Sequence, residues 1–206
     1  MQVLAIRHGP TSSKKEAGAD LDRQLTEEGK ALVRGAREHA RFMGFENPAA
    51  TFATIARRTQ ETARLFAPSV KPIVILGAYP DVVDGWSETM TAKLVANFTA
   101  ACELAGGSSV SFKQQMRCAE ARATLVFHQL LRLRLERALR ELPDGSDVLL
   151  VGHGPTMMTA LQQFTREGVP EDFVCGPCEG SLFRIRFSPA GMEVIGEPQT
   201  FWPERS

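Results

Sequence analysis

Val3-Leu4-Ala5-Ile6-Arg7-His8-Gly9-Pro10-Thr11 and Val148-Leu149-Leu150-Val151-Gly152-His153-Gly154-Pro155-Thr156 are the two stretches whose reading decides the fold. Each is a short apolar run, read as a buried strand, that ends in His-Gly-Pro-Thr. Two of the four histidines of the chain lie at these ends. In an open α/β sheet, ligands bind beyond the carboxyl ends of the strands. A glycine beside each imidazole lets the backbone turn sharply and lets a ligand approach. Two histidines and Arg7 at one sheet edge point to a site that handles an anion.

The remaining elements alternate between the two periods. Ser12 to Arg23 is polar and reads as a loop placed to contact substrate. Thr26 is the expected N-cap of a helix that Gly44 closes, with Glu27 and Glu28 at its positive end and Leu32, Ala36, Ala40 and Met43 facing the core. His39 reads as a solvated residue of that helix. Thr51–Thr54 and Ile73–Leu76 are strand candidates. Between them Arg57-Arg58 opens another helix, where two cations oppose the dipole unless one is solvated and the other holds an anion.

Ala78 to Glu88 is irregular and acidic, and Ser87 to about Leu104 is helical, with Leu94, Phe98 and Cys102 on one face. Gly106 to Ser109 breaks it, and one amphipathic helix is expected from about Met116 to Leu142, with His128 a packing or surface residue. Pro143-Asp144-Gly145 is a turn, Met157 to Thr165 a helix, and Ser181–Phe187 and Met192–Ile195 a hairpin pair. The tail from Pro198 to Ser206 is expected to be poorly ordered. This βα alternation predicts a three-layer α/β/α sandwich with a mostly parallel central sheet, in a single domain spanning residues 1–206.

Composition narrows the function. Lys+Arg and Asp+Glu both number 24, so no global field recruits nucleic acid or an anionic membrane, and any positive potential must be local. The apolar run before Arg7 is too short for a signal peptide, and no run reaches the roughly 18 apolar residues of a membrane span, so a cytoplasmic protein is expected. Four cysteines in a 206-residue chain do not form a disulfide framework. Cys102 and Cys118 read as small buried apolar residues. Cys175-Gly176-Pro177-Cys178 has redox spacing but precedes a strand rather than a helix, and has no second pair to complete a zinc site, so it reads as a tight turn.

The chain resembles the histidine phosphatases, the phosphoglycerate-mutase-like superfamily, in its smaller-domain branch. Arg7-His8-Gly9 is similar to the family's Arg-His-Gly signature, and Leu25-Thr26-Glu27-Glu28-Gly29 to its Leu-Thr-x-x-Gly helix start. Arg58, four residues before Thr62-Ala63, matches the second pocket arginine, and Gly152-His153-Gly154 the second histidine. Two departures stand out. Thr54-Ile55 replaces the usual Ser-Pro, and no glutamate occupies the acid–base position, where Asp81 falls with Asp84 and Glu88 nearby.

The resemblance implies a phosphoglycerate mutase-like fold and a metal-independent phosphatase without a cofactor. It further implies a small-molecule phosphoester or a phosphohistidine as substrate and inorganic phosphate as product. His8 is the implied nucleophile, Arg7, Arg58, His153 and the Gly154 N–H the phosphate ligands, and Asp81 the proton donor. A mutase-type phosphotransferase and a phospho-ligand binder with weak or no turnover stay open. Sugar phosphates, nucleotides and phosphohistidine proteins are all admissible substrates.

Overall fold

A computed structural model describes residues 1–76, 88–106, 111–118, 120–154, 175–189 and 191–201. Among the described residues seven strands form one sheet: β1 (Gln2–Arg7), β2 (Ala50–Thr54), β3 (Ile73–Leu76), β4 (Asp147–Gly152), β5 (Gly180–Ser188), β6 (Gly191–Val194) and β7 (Gln199–Phe201). Their order is β3-β2-β4-β1-β5-β6, with β7 also paired to β5. The first four are mutually parallel, and β5, β6 and β7 join through antiparallel pairs. The sheet is therefore mixed, with the parallel half carrying both histidine strands.

Side chains of β1 and β4 alternate across the sheet, as the two-residue period requires. Val3, Ala5, Val148 and Leu150 pack on one face against Phe127, Leu131, Leu135 and Leu139 of α6 (Ala121–Arg140). Leu4, Ile6, Leu149 and Val151 pack on the other against Val33, Ala36 and Ala40 of α2 (Glu27–Phe42) and Ala63 and Phe66 of α3 (Arg57–Phe66). Both faces are thus apolar and both are covered, which is why the strands read as continuous hydrophobic runs. The result is the expected α/β/α sandwich.

The start of α2 is fixed as the sequence implies. Thr26 Oγ1 accepts from Gly29 N at 3.0 Å, and Thr26 N donates to Pro10 O at 3.1 Å. A Cβ on Gly29 would lie 2.2 Å from Pro10 O, so only glycine lets this helix rest on the backbone just after His8.

Several expectations are corrected. The polar stretch after Thr11 contains a short helix, α1 (Lys14–Ala17), and a 3-10 turn at Asp20–Asp22. The helix expected from about Met116 is α6, which starts at Ala121, and a separate short helix, α5 (Phe112–Met116), precedes it. Ser111 and Gln114 form a capping box that starts α5, and Glu120, at φ 62°, interrupts the path before α6. Leu139 joins the buried stripe of α6, while Ala138 and Leu142 are only partly buried.

The tail is also corrected over Gln199–Phe201, which pairs with β5 and buries Phe201 completely. His39 is consequently not a solvated residue, since its ring lies 5.3 Å from that of Phe201 and is half-buried. The strand returning from a distant part of the sequence covers it. The helix α4 (Glu88–Leu104) begins as expected. The expected helix Met157–Thr165 and the tail beyond Phe201 lie outside the described residues. Among the described residues no helix is long and apolar enough to cross a membrane.

Candidate functional site

Three adjacent parallel strands, in the order β2-β4-β1, end together. Ala53 pairs with Val151 and Arg7 with Gly152, so Thr54, His153 and His8 follow at neighbouring carboxyl ends. His8 N donates to Gly152 O at 2.9 Å, tying one histidine loop to the other. The two imidazoles meet edge to face with centroids 5.2 Å apart and planes at 71°. Residues 145 apart in sequence are neighbours because parallel pairing sets their strands in register.

His8 is buried, and its two nitrogens have different partners. Nδ1 lies 2.7 Å from Gly9 O, which can only accept, so Nδ1 carries the proton. Nε2 then presents a lone pair, and Arg58 Nε donates to it at 3.2 Å. Burial pushes the His8 pKa down to about 3; the Gly9 bond opposes this, while the charges of Arg58, Arg7 and Arg23 reinforce it. The ring is therefore neutral at physiological pH, with an unprotonated Nε2 facing the Arg58 guanidinium.

The α3 N-terminus supplies Arg58, and the two arginines there divide as the dipole argument requires. Arg57 is exposed and pairs with Glu61 at 2.9 Å, whereas Arg58 is buried. One turn on, Thr62 Oγ1 accepts from Gly9 N at 3.2 Å and donates to Arg58 O at 2.8 Å, locking α3 onto the His8 loop.

His153 Nε2 lies 3.0 Å from Thr54 Oγ1. Thr59 Oγ1 faces two backbone acceptors, Ala56 O at 2.7 Å and Thr54 O at 3.2 Å, and with its proton on either of them the 2.8 Å contact between the two threonines uses the Thr54 proton. Thr54 Oγ1 must therefore accept from His153 Nε2, which fixes that tautomer. Burial first, then the His8 ring and the charges of Arg58, Arg7 and Arg23, hold His153 well below its ordinary pKa. In the free protein His153 is therefore neutral rather than protonated.

Arg7 is held from behind by the Cys175–Glu179 turn. Its Nη1 donates to Cys175 O at 2.8 Å, its N to Glu179 O at 2.9 Å, and its O accepts from Cys178 N at 3.0 Å. Its buried Nε has no hydrogen-bond partner among the described residues. Burial lowers the Arg7 pKa, partly offset by Cys175 and Glu179. A Cβ on Gly154 would lie 3.8 Å from Arg7 Nη1, so this glycine borders the same guanidinium. Burial drives both Cys175 and Cys178 thiols up to about 12, and both are free, so the tight-turn reading of this segment fits its geometry.

Arg7, His8, Arg58, His153 and Gly154 thus converge. Asp81 and Asp84 lie outside the described residues, and Glu88 is placed only as the first residue of α4. A different carboxylate occupies the pocket. Asp20 Oδ2 meets Arg58 Nη2 at 2.9 Å, Arg58 Nη1 donates to Asp20 O, and Asp20 Oδ1 meets Arg23 Nη1 at 3.2 Å. Burial alone would raise the Asp20 pKa, but the Arg58 and Arg23 partnerships outweigh it and leave it lowered. Sequence reasoning missed Asp20 and Arg23, and it missed the threonine relay behind His153. The only available signal was their place in a polar loop following Arg-His-Gly. Among the described residues no group of three or more His, Cys, Asp or Glu side chains is arranged to hold a metal ion.

The sequence model of the histidine phosphatase superfamily (branch 1) matches residues 3–196. Similar solved structures include phosphoserine phosphatase from Entamoeba histolytica in complex with 3-phosphoglyceric acid, at 15% identity and TM-score 0.60, covering 100% of this chain and 97% of that one. Phosphoglycerate mutase from Bacillus anthracis is similar at 16% identity and TM-score 0.60, with 96% and 92% covered. A mycobacterial glucosyl-3-phosphoglycerate phosphatase complexed with VO3 is similar at 17% identity and TM-score 0.60, with 99% of each covered. A comparison with curated protein sequences finds no match.

Proposed function

This chain belongs to the histidine phosphatase superfamily, and from that membership we propose that it is a metal-independent phosphatase that hydrolyses a phosphomonoester through a phosphohistidine on His8. The observation that carries the reading is the fixed tautomer of His8. Its Nδ1 proton is committed to Gly9 O, and its Nε2 lone pair sits against Arg58.

In the first step Nε2 attacks phosphorus in line, the P–O bond to the leaving group breaks, and the developing imidazolium keeps its Nδ1 proton on Gly9 O. The leaving oxygen takes a proton from an acid, the role proposed for Asp81. In the second step the deprotonated acid, the role proposed for Asp81, takes a proton from the attacking water, the P–N bond breaks, and inorganic phosphate leaves with His8 neutral and the acid restored. Arg7 and Arg58 grip the equatorial oxygens, because phosphoryl transfer depends mainly on positioning and charge stabilisation. Arg7 Nε, buried without a partner among the described residues, is a donor that a bound oxyanion satisfies. The Gly154 N–H adds a neutral donor, and His153, whose one proton is held by Thr54 Oγ1 in the free protein, becomes a donor to phosphate on gaining a second proton once a dianion offsets the arginines.

The test is a panel of phosphomonoesters, a phosphohistidine protein and phosphoglycerate isomers, run on wild type and His8→Ala. Steady phosphate release by wild type that the folded variant loses supports the phosphatase. Isomer interconversion without release would instead make the chain a mutase. Phosphate binding with no turnover on any member would make it a binding protein.

A further inference from the structure

Every nitrogen of the proposed phosphate-gripping arginine already has an acceptor from its own chain. Arg58 Nε is on His8 Nε2, Nη1 on Asp20 O, and Nη2 on Asp20 Oδ2. The other oxygen of that carboxylate, Oδ1, rests on Arg23 Nη1 at 3.2 Å. A carboxylate is thus shared, one oxygen each, between two guanidiniums beside the nucleophile. Asp20 thus takes one N–H from each outer nitrogen of Arg58, and a phosphoryl group delivered to His8 competes with it for that edge of the guanidinium.

When Asp20 leaves, Arg23 Nη1 is released by the same movement. Arg23 would then stand where a second ligand oxygen is expected, with its other nitrogens still anchored: Nε on Ser12 O at 2.7 Å and Nη2 on Thr11 Oγ1 at 2.6 Å. Its charge is already felt at Arg7, His8 and His153. Exchanging a singly charged carboxylate for a doubly charged phosphoryl group between two guanidiniums is electrostatically favourable.

We infer that Arg23 is a third phosphate-binding arginine and that Asp20 is an internal competitor, its carboxylate standing where substrate oxygens bind. This inference rests on the proposed function of the pocket. Occupancy by Asp20 taxes apparent affinity, because only the released fraction of molecules can accept ligand. The loop that carries both residues does not depend on the latch. Its neck is closed by the Thr11–Leu25 bridge and by Ser12 N donating to Gln24 O at 2.9 Å.

The two partners of one ion pair therefore have opposite expected effects on binding. Calorimetric titration with inorganic phosphate at pH 7.5 should show Asp20→Asn binding about tenfold tighter than wild type and Arg23→Gln about tenfold weaker. The KM for p-nitrophenyl phosphate should move in the same two directions, and Arg23→Lys should recover part of the loss. A purely structural ion pair would instead make both variants bind more weakly, through a loosened loop, or leave both unchanged. Either result overturns the inference. Arg58→Ala separates it from the pocket itself: undiminished phosphate binding in that variant would overturn the proposed site. Lost binding there, with Asp20→Asn no tighter than wild type, would overturn only the inference drawn here.

Discussion

A buried imidazole held neutral leaves a signature in stability as well as in chemistry. The His8 pKa falls from an ordinary 6.5 to about 3 in the folded protein, so between those values the unfolded chain binds the proton more readily than the folded one. Stability from this residue is complete above pH 6.5 and is lost as pH drops toward 3. Each pH unit below 6.5 costs about 1.4 kcal/mol, so the contribution at pH 5 is down by about 2 kcal/mol relative to pH 7. His8→Asn removes the titration and keeps a side chain of similar polarity. Urea denaturation of both proteins at pH 7 and pH 5 in phosphate-free buffer reads the effect directly. Wild type should lose about 2 kcal/mol more than the variant over that interval. An identical loss in both would refute the buried, neutral state of His8, since the remaining titrating groups are common to the two proteins.

Other parts of the pocket make separate predictions. Gly29→Ala forces a Cβ to within 2.2 Å of Pro10 O and should destabilise the fold by about 2–3 kcal/mol, lowering the melting temperature by roughly 5–10 °C in a thermal scan. Thr54→Val deletes the acceptor of both His153 Nε2 and Ala56 N. It should cost about 1–3 kcal/mol in stability and lower kcat on any substrate found; unchanged kcat would detach the threonine relay from His153. Cys175 and Cys178, with thiols at about 12, have roughly one part in ten thousand thiolate at pH 8. Neither should react with iodoacetamide in the native protein, and mass spectrometry finding rapid labelling would contradict the buried turn behind Arg7.

Much of the site was legible because short motifs sit on long-range strand pairing. Two apolar runs ending in His-Gly-Pro-Thr can be read from the sequence, and parallel pairing of β1 with β4 then brings the rings together. The opposed arginines at Arg57 and Arg58 were legible as a conflict with the helix dipole, and one turned outward while the other turned in. The Asp20 latch was not legible, because a loop residue reaching Arg58, 38 positions away, follows no periodicity. Phe201 was misread for a related reason. A short edge strand near a polar, proline-flanked end carries no local sign of the core it enters. The start of α6 was placed too early, at Met116 instead of Ala121, because the break at Glu120 is set by backbone geometry, and α5 before it was missed. The Ser111–Gln114 capping box was the local signal that could have revealed α5.

The central claim is that a phosphoryl group passes through His8, and trapping that intermediate tests it most directly. Wild-type protein mixed with a ³²P-labelled phosphomonoester that it turns over, quenched with alkali and digested, should yield label on the peptide containing His8. That label should be acid-labile and alkali-stable, as an N–P bond requires, and absent from His8→Ala. Label on the peptide carrying His153, or full turnover by His8→Ala, would contradict the account.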